Sequence, residues 1–146
     1  MLQRLMLAAL VLLGSWGVVC AAEPIDVYIG DGCSCCSEWA KYMQKKGFNV
    51  RTHNVTSTQL SRVKKEAGIA EKNASCHTAK IGGYVVEGHV PADDVKRLLA
   101  ERPNALGLSV PGMPIGSPGM EQGDTKEPYE VLLLRKDGTT EVYSKH

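Results

Sequence analysis

Four cysteines and one histidine give this chain its clearest chemical signal. Cys33, Cys35 and Cys36 form a C-x-C-C motif, and Cys76 is followed directly by His77. The motif lies between a predicted strand and the N-terminus of a predicted helix, where partial positive charge and free N–H groups stabilise a thiolate. Because the thiolate is both the nucleophile of disulfide exchange and the form that binds metals, the cluster predicts redox chemistry or metal binding.

The residues alone leave both chemistries open. The Cys33-x-x-Cys36 spacing at a strand-to-helix junction is typical of dithiol oxidoreductases. Thiolates also bind Cu(I), zinc and iron–sulfur centres, and a nearby histidine or thioether favours copper. Three sulfurs so close together do not converge easily on one tetrahedral zinc ion, but they could bridge several Cu(I) ions with two or three ligands each. The spacing is a poor match to iron–sulfur sites.

Residues 1–22 have the features of an export signal. One arginine precedes an apolar run over residues 5–19, and small residues then form an A-x-A-like cleavage pattern. Cleavage there would leave residues 23–146 in the periplasm as one domain without membrane attachment. Alternatively, residues 5–22, a stretch of 18 residues, could serve as an uncleaved anchor at the lower edge of a membrane span. Lipid attachment at Cys20 is disfavoured because a valine, not a small residue, directly precedes it.

Export also gives the cysteines a purely structural interpretation. Four cysteines remain after cleavage, and two disulfides would be the ordinary expectation in an oxidising compartment. Disulfides between neighbours in the C-x-C-C motif are strained, so only one bond, from the cluster to Cys76, is easy to form. This alternative leaves one disulfide and two buried thiols.

The overall composition is that of one folded domain. The 146 residues are 43% hydrophobic and 23% charged, which argues against disorder. Lys and Arg number 17 against 16 Asp and Glu, and no stretch concentrates one sign of charge. Nucleic-acid binding usually needs a basic face, so we do not expect a nucleic-acid partner.

The hydrophobic pattern predicts an α/β fold that positions the cysteines. A strand over residues 25–29, a helix over 36–46 and a strand over 48–55 form a βαβ unit with parallel strands. Further along the chain the pattern predicts a helix with a Thr56–Gln59 capping box, a hairpin over residues 78–87, a helix opened by Pro91, and a second hairpin over 131–143. Residues 103–128, rich in proline and glycine, fit no regular element. We therefore predict a thioredoxin-like α/β sandwich with a long Pro/Gly-rich loop wrapped over it.

The stretch around Cys76 departs from the usual thioredoxin-like pattern. In that topology the loop before the third strand lies against the active-site cysteines and normally carries a cis-proline. Here the loop is Ser75-Cys76-His77-Thr78, with no proline. A cysteine and a histidine would face the cluster instead, which favours a metal site over plain disulfide exchange.

Four motifs in the same order resemble the CopG family of small periplasmic copper-resistance proteins. The matching segments are residues 31–39 (DGCSCCSEW), 75–78 (SCHT), 82–91 (GGYVVEGHVP) and 110–121 (VPGMPIGSPGME). The resemblance implies a thioredoxin-like fold, export, a role in copper tolerance and interconversion of Cu(I) and Cu(II). It places Cys33, Cys35, Cys36 and Cys76 at the family's cysteine positions. A periplasmic copper carrier or exporter is the corresponding candidate partner.

Other side chains are secondary candidates for copper binding. His77 adjoins Cys76, so a ligand role and a structural role are equally open. Met113 and Met120 are soft thioether donors in the Pro/Gly-rich loop. For His89 we expect a surface or capping role rather than ligation.

Three functions remain open at this point. One is Cu(I) storage on thiolates, in a multinuclear cluster, with redox exchange to Cu(II); the second is a thiol–disulfide oxidoreductase using Cys33 and Cys36; the third is a passive copper chaperone. Binding residues alone do not decide between an enzyme and a buffer.

Overall fold

The structure, a computed structural model, describes residues 23–146, and the predicted export signal lies outside the described residues. Its strands are β1 (Ile25–Gly30), β2 (Val50–Val55), β3 (His77–Ile81), β4 (Tyr84–Glu87), β5 (Gly107–Ser109), β6 (Glu130–Leu134) and β7 (Thr140–Lys145). Its helices are α1 (Ser34–Lys45), α2 (Ser57–Glu66) and α3 (Ala92–Glu101), with a short 3₁₀ helix at Glu71–Asn73. Within this described part, no helix combines the length and apolar character needed to cross a bilayer.

All seven strands belong to one sheet, in the order β2-β1-β3-β4-β5-β6-β7. β1 and β2 are parallel, while β3 is antiparallel to β1 and β4 is antiparallel to β3. This four-stranded part, with the crossover helix α1 and the final helix α3, is the predicted thioredoxin-like architecture. β5, β6 and β7 extend the sheet beyond β4.

Helices cover both faces of the thioredoxin-like part. The ring of His77 contacts Trp39 of α1, whereas the hydroxyl of the next residue, Thr78, accepts a hydrogen bond from Lys64 of α2. Because consecutive side chains of a strand point to opposite faces, α1 and α2 lie on opposite sides of the sheet. The main apolar core lies on the α1 side and includes Val27 and Leu98.

Local sequence signals explain where the helices begin and end. Thr56 and Gln59 form the predicted reciprocal capping box of α2. Helix α1 begins at Ser34, two residues before the predicted start, so Cys33 is its N-cap residue. Gly47 follows the helix with φ +94°, a conformation that favours glycine.

The expectation that residues 103–128 contain no regular element was wrong. β5 lies inside this segment and pairs with β4 on one side and β6 on the other. A strand of three residues has almost no alternating pattern of its own, so its formation depends on its two neighbours in the sheet. The connection from β5 to β6 does form a long loop, which we call the Pro/Gly loop (residues 110–129).

Candidate metal centre

The C-x-C-C motif is positioned by the junction between β1 and α1. β1 ends at Gly30, and the turn that follows has Gly32 at φ +76°. Cys33 then stands at the N-cap, with Cys35 and Cys36 in the first turn of α1. Cys36 is fully buried, whereas Cys33 and Cys35 remain partly exposed. The cluster therefore lies at the positive end of a helix, with one side open to solvent.

Two of the four sulfurs are covalently paired. Cys33 and Cys36 form a disulfide, while Cys35 and Cys76 are free thiols. The sulfur of Cys35 lies 3.5 Å from that of Cys33. The structural alternative expected the easiest disulfide to join the cluster to Cys76; the bond instead closes within the motif, across one helical turn.

Cys76 reaches this cluster because of strand register. β3 follows directly after Cys76 and pairs with β1, with His77 opposite Ile29. The residue before β3 is therefore brought beside the turn that follows β1. The ligand atoms of Cys33, Cys35, Cys36 and Cys76 all lie within 4.8 Å of one another.

A second group of donors shares Cys76 with the first. The Cys76 sulfur lies 3.4 Å from Nδ1 of His77 and 3.0 Å from Nε2 of His89. Both histidines are fully buried. Cys76, His77 and His89 also have their ligand atoms within 4.8 Å of one another, so Cys76 joins a sulfur-rich group to an imidazole-rich one.

The surface or capping role expected for His89 was wrong, because the side chain is buried at the site. The hairpin could have revealed this position from the sequence. Thr78 pairs with Glu87, and the N–H of Gly88 donates to the carbonyl of His77, so the residue after Gly88 runs back alongside Cys76. If the pairing of the predicted hairpin is continued by two residues beyond Glu87, His89 lies opposite Cys76.

Hydrogen bonding orients the His89 ring toward Cys76. Its Nδ1 donates to the carbonyl of Pro118 at 2.8 Å, which leaves Nε2 with its lone pair directed at the Cys76 sulfur. Fixing one ring nitrogen by a backbone carbonyl is the usual way in which proteins prepare a histidine as a metal ligand. Nε2 of His77, in contrast, is buried without a hydrogen-bond partner.

Burial keeps these groups uncharged in the metal-free chain. It lowers the pKa of His77 well below the ordinary value and also lowers the pKa of His89. Burial, together with the neighbouring Cys35, raises the pKa of the Cys76 thiol to about 12. Neutral imidazoles are ready to bind a metal ion, and a cation would favour the thiolate form of Cys76 by direct attraction.

The indole ring of Trp39 packs against His77. Its ring centroid lies 4.5 Å from that of His77, and its Nε1 donates to the carbonyl of Val90 at 2.9 Å. The indole is fully buried. It therefore shields the histidine side of the site from water.

The Pro/Gly loop contacts the residues around the cysteine cluster at two points. The hydroxyl of Ser75 donates to the carbonyl of Gly112, next to Met113, whose side chain is 52% exposed. At the second point, Gly119 lies so close to α1 that a Cβ there would stand 2.8 Å from the carbonyl oxygen of Cys35. Met120 directly follows and is partly buried. Each candidate methionine therefore directly follows a loop glycine that lies beside the cysteine cluster: Gly112 contacts Ser75, and Gly119 contacts the backbone of Cys35.

A buried ion pair on the opposite face of the sheet holds the Cys76 segment in place. Glu87 has no exposed surface and accepts hydrogen bonds from Lys64 at 2.5 Å, from the backbone N–H of Ser75 at 2.7 Å and from the hydroxyl of Thr78 at 2.7 Å. The net effect of burial, partly offset by Lys64, is to raise the pKa of Glu87. No local sequence pattern predicts this pair, because its members lie 23 residues apart in the chain.

Comparison with known proteins identifies the family. Two solved structures named copper resistance protein CopG, forms 1 and 2, are 41% and 42% identical to this chain. Each covers 86% of this chain, together with 98% and 99% of its own length, at TM-scores of 0.81 and 0.80. The chain belongs to the CopG family. The resemblance inferred from its four motifs is confirmed.

A family model also matches the middle of the chain. A family model described as "Protein of unknown function, DUF411" matches residues 73–120, the part of this CopG-family chain that holds Cys76, His77 and His89. The search of curated proteins gave no significant match.

The donor atoms of this CopG-family chain fit copper. Thiolates are soft ligands that select Cu(I), and imidazole nitrogen is a good ligand for copper in general. Nδ1 of His77 and Nε2 of His89 both face the Cys76 sulfur, so a metal ion beside that sulfur would have two imidazole nitrogens within reach. The family and the cysteine cluster together support a copper-related function.

Proposed function

We propose that this chain is an exported copper-binding protein that holds Cu(I) on Cys33, Cys35, Cys36 and Cys76 in their reduced state. The observation that carries the proposal is the convergence of these four sulfurs within 4.8 Å. Because each Cu(I) needs only two or three ligands, bridging thiolates at this spacing suit more than one ion. Residues 1–22 would direct the chain to the periplasm, where a copper carrier or exporter is the proposed partner.

His77 and His89 extend this site toward Cu(II). Copper(II) accepts imidazole ligands readily, so a sulfur-rich group next to an imidazole-rich group suits both oxidation states. The shared residue Cys76 would let copper pass between the two groups without leaving the site. Interconversion of Cu(I) and Cu(II) is therefore the proposed chemistry. Met113 and Met120 would add weaker thioether contacts from the Pro/Gly loop.

An anaerobic Cu(I) titration against a competing chelator tests the binding proposal. The fully reduced protein should retain two or more Cu(I) ions per chain, and Cys76→Ser should lose at least half of them because it removes the sulfur common to both groups. Replacing both methionines by leucine should lower the affinity by a smaller factor. His53→Gln, which changes an exposed histidine on β2, is the control for nonspecific binding and should match the wild type. Unchanged stoichiometry in Cys76→Ser would overturn this geometry.

A second candidate function is favoured by the disulfide itself. Cys33 is partly exposed and Cys36 is fully buried, which is the arrangement of an attacking and a resolving cysteine in a dithiol oxidoreductase. Such an enzyme should reduce disulfide substrates without metal and lose this activity in Cys33→Ser. Metal-free protein with no disulfide reductase activity would remove this candidate. A passive chaperone would instead transfer Cu(I) to its partner faster than it cycles the oxidation state.

A further inference from the structure

The disulfide divides the donor atoms of the site into two groups with different capacities. While Cys33 and Cys36 are bonded to each other, the thiol and imidazole donors that remain in these two groups are Cys35, Cys76, His77 and His89. When the bond is reduced, two more thiolates join the site. The same pair of cysteines therefore stores two electrons and controls how many soft ligands the site offers.

The two groups are adjacent. Cys76 belongs to the four-cysteine group and to the group with His77 and His89, and in each group the ligand atoms lie within 4.8 Å of one another. A copper ion held at Cys76, His77 and His89 would thus be in the immediate neighbourhood of the paired sulfurs. No bound mediator is needed for electrons to cross so short a distance.

We propose that the Cys33–Cys36 dithiol is the electron donor for Cu(II) bound at Cys76, His77 and His89, and that this reaction joins the two sulfurs in a disulfide. This inference rests on the proposed function and assigns its electron source. Two Cu(II) ions each gain one electron and become Cu(I). The dithiol loses two electrons, the Sγ–Sγ bond forms, and the two thiol protons pass to solvent.

The backbone favours this pair of sulfurs over other pairs. The Cα atoms of Cys33 and Cys36 are 5.4 Å apart, within the range that an ordinary disulfide requires. Cys35 is a next neighbour of Cys33 and a vicinal neighbour of Cys36, which are strained positions for a bond. Cys76 is in contact with the ring of His89 and serves as a ligand.

Exposure determines how the pair is reduced again. An external dithiol, the class of reductant that the cycle requires, can reach the partly exposed Cys33 but not the fully buried Cys36. Its thiolate attacks Cys33 and releases Cys36 as a thiolate. Its second thiol then displaces Cys33, closing the reductant's own disulfide and restoring both cysteines.

Stoichiometric addition of Cu(II) to the reduced protein under anaerobic conditions tests the proposal. The electron paramagnetic resonance signal of Cu(II) should disappear for the first two equivalents and persist for the third. Alkylation after an acid quench, followed by peptide mass spectrometry, should find Cys35 and Cys76 labelled and Cys33 joined to Cys36. In Cys36→Ser the rate of Cu(II) reduction should fall at least tenfold, whereas the control His53→Gln, away from the site, should still reduce two equivalents at the wild-type rate.

Three results would overturn the proposal: a disulfide at another pair, Cu(II) reduction in Cys36→Ser at the wild-type rate, or a persistent Cu(II) signal in the wild type. Cu(I) titration of the same samples separates this inference from the proposed function. Cu(I) retention without Cu(II) reduction removes the dithiol's role and leaves the binding proposal intact. Reduction of two equivalents without Cu(I) retention supports the dithiol's role and removes the cluster. Circular dichroism of each variant checks that it is folded.

Discussion

At the scale of single residues, the site is defined by Cys76 and its two histidine neighbours. The thiol has its pKa raised to about 12, and both imidazoles have theirs lowered, because all three side chains are withdrawn from water. Such an arrangement is costly for the metal-free chain, since Nε2 of His77 has no hydrogen-bond partner. A copper ion at the site would give the Cys76 sulfur, Nδ1 of His77 and Nε2 of His89 a common partner.

His89→Gln is the most informative change at this scale. It removes the imidazole nitrogen that lies 3.0 Å from the Cys76 sulfur but keeps a polar side chain of similar length. We expect copper affinity to fall by at least about tenfold, since even the loss of a residue that only orients a metal ligand has an effect of that order. Competition with a copper chelator measures the change. Equal affinities in His89→Gln and the His53→Gln control would show that His89 is not a ligand.

At the scale of secondary-structure elements, the Lys64–Glu87 pair joins α2 to the hairpin β3–β4. Through the N–H of Ser75 it also holds the residue before Cys76. The two partners differ in exposure: 16% of the Lys64 side chain is accessible, whereas Glu87 has no exposed surface. Removing either partner leaves the other unpaired, but only Lys64 has a route to water.

We therefore expect Lys64→Met to destabilise the fold more than Glu87→Gln. The first change leaves a buried carboxyl without its cation, which costs about 3–5 kcal/mol. The second leaves an ammonium group that can turn toward solvent, and the amide keeps part of the hydrogen bonding, so the cost is about 1–3 kcal/mol. Urea unfolding of the metal-free variants at neutral pH gives both free energies. A larger loss of unfolding free energy in Glu87→Gln than in Lys64→Met would contradict this account, in which Glu87 is the partner that water cannot reach.

The elements show which parts of this protein are predictable from its sequence. The strand–helix–strand opening, the capping box of α2 and the β3–β4 hairpin all follow from local patterns and are present. β5 was missed because its three residues depend on neighbouring strands. His89 was misplaced and the role of Glu87 was missed, because both depend on register and on contacts across the sheet. The cysteine cluster was identifiable because most of its members are close in sequence.

At the scale of the whole molecule, charge pairs on the sheet surface make stability depend on pH. On adjacent strands, Asp26 accepts two hydrogen bonds from Arg51 and one from His53. These contacts lower the pKa of Asp26 below its ordinary value of 3.8. The hydrogen bond from Arg51 has the largest effect, and that from His53 the next largest. Because the folded-state pKa is the lower one, the stabilisation is present above about pH 4 and is lost as the pH falls through the folded-state value.

Asp26→Asn should therefore lower the melting temperature by a few degrees at pH 7, with little difference from wild type near pH 2. The effect is small because the pair is solvent-accessible and screened by salt. Differential scanning calorimetry of the metal-free proteins across this range measures it. A difference in melting temperature that is the same at pH 7 and pH 2 would contradict the assignment.

The direction of β1 has a practical consequence for work with this protein on surfaces. The strand starts at Ile25 and ends at Gly30, directly before the turn to Cys33, so the start of the described chain is about 20 Å from the cysteines. A tether attached ahead of Glu23 would hold the molecule by the end opposite its sulfur atoms. An immobilised layer coupled in this way would present every cysteine cluster to the liquid, ready for a soluble partner to be flowed across it.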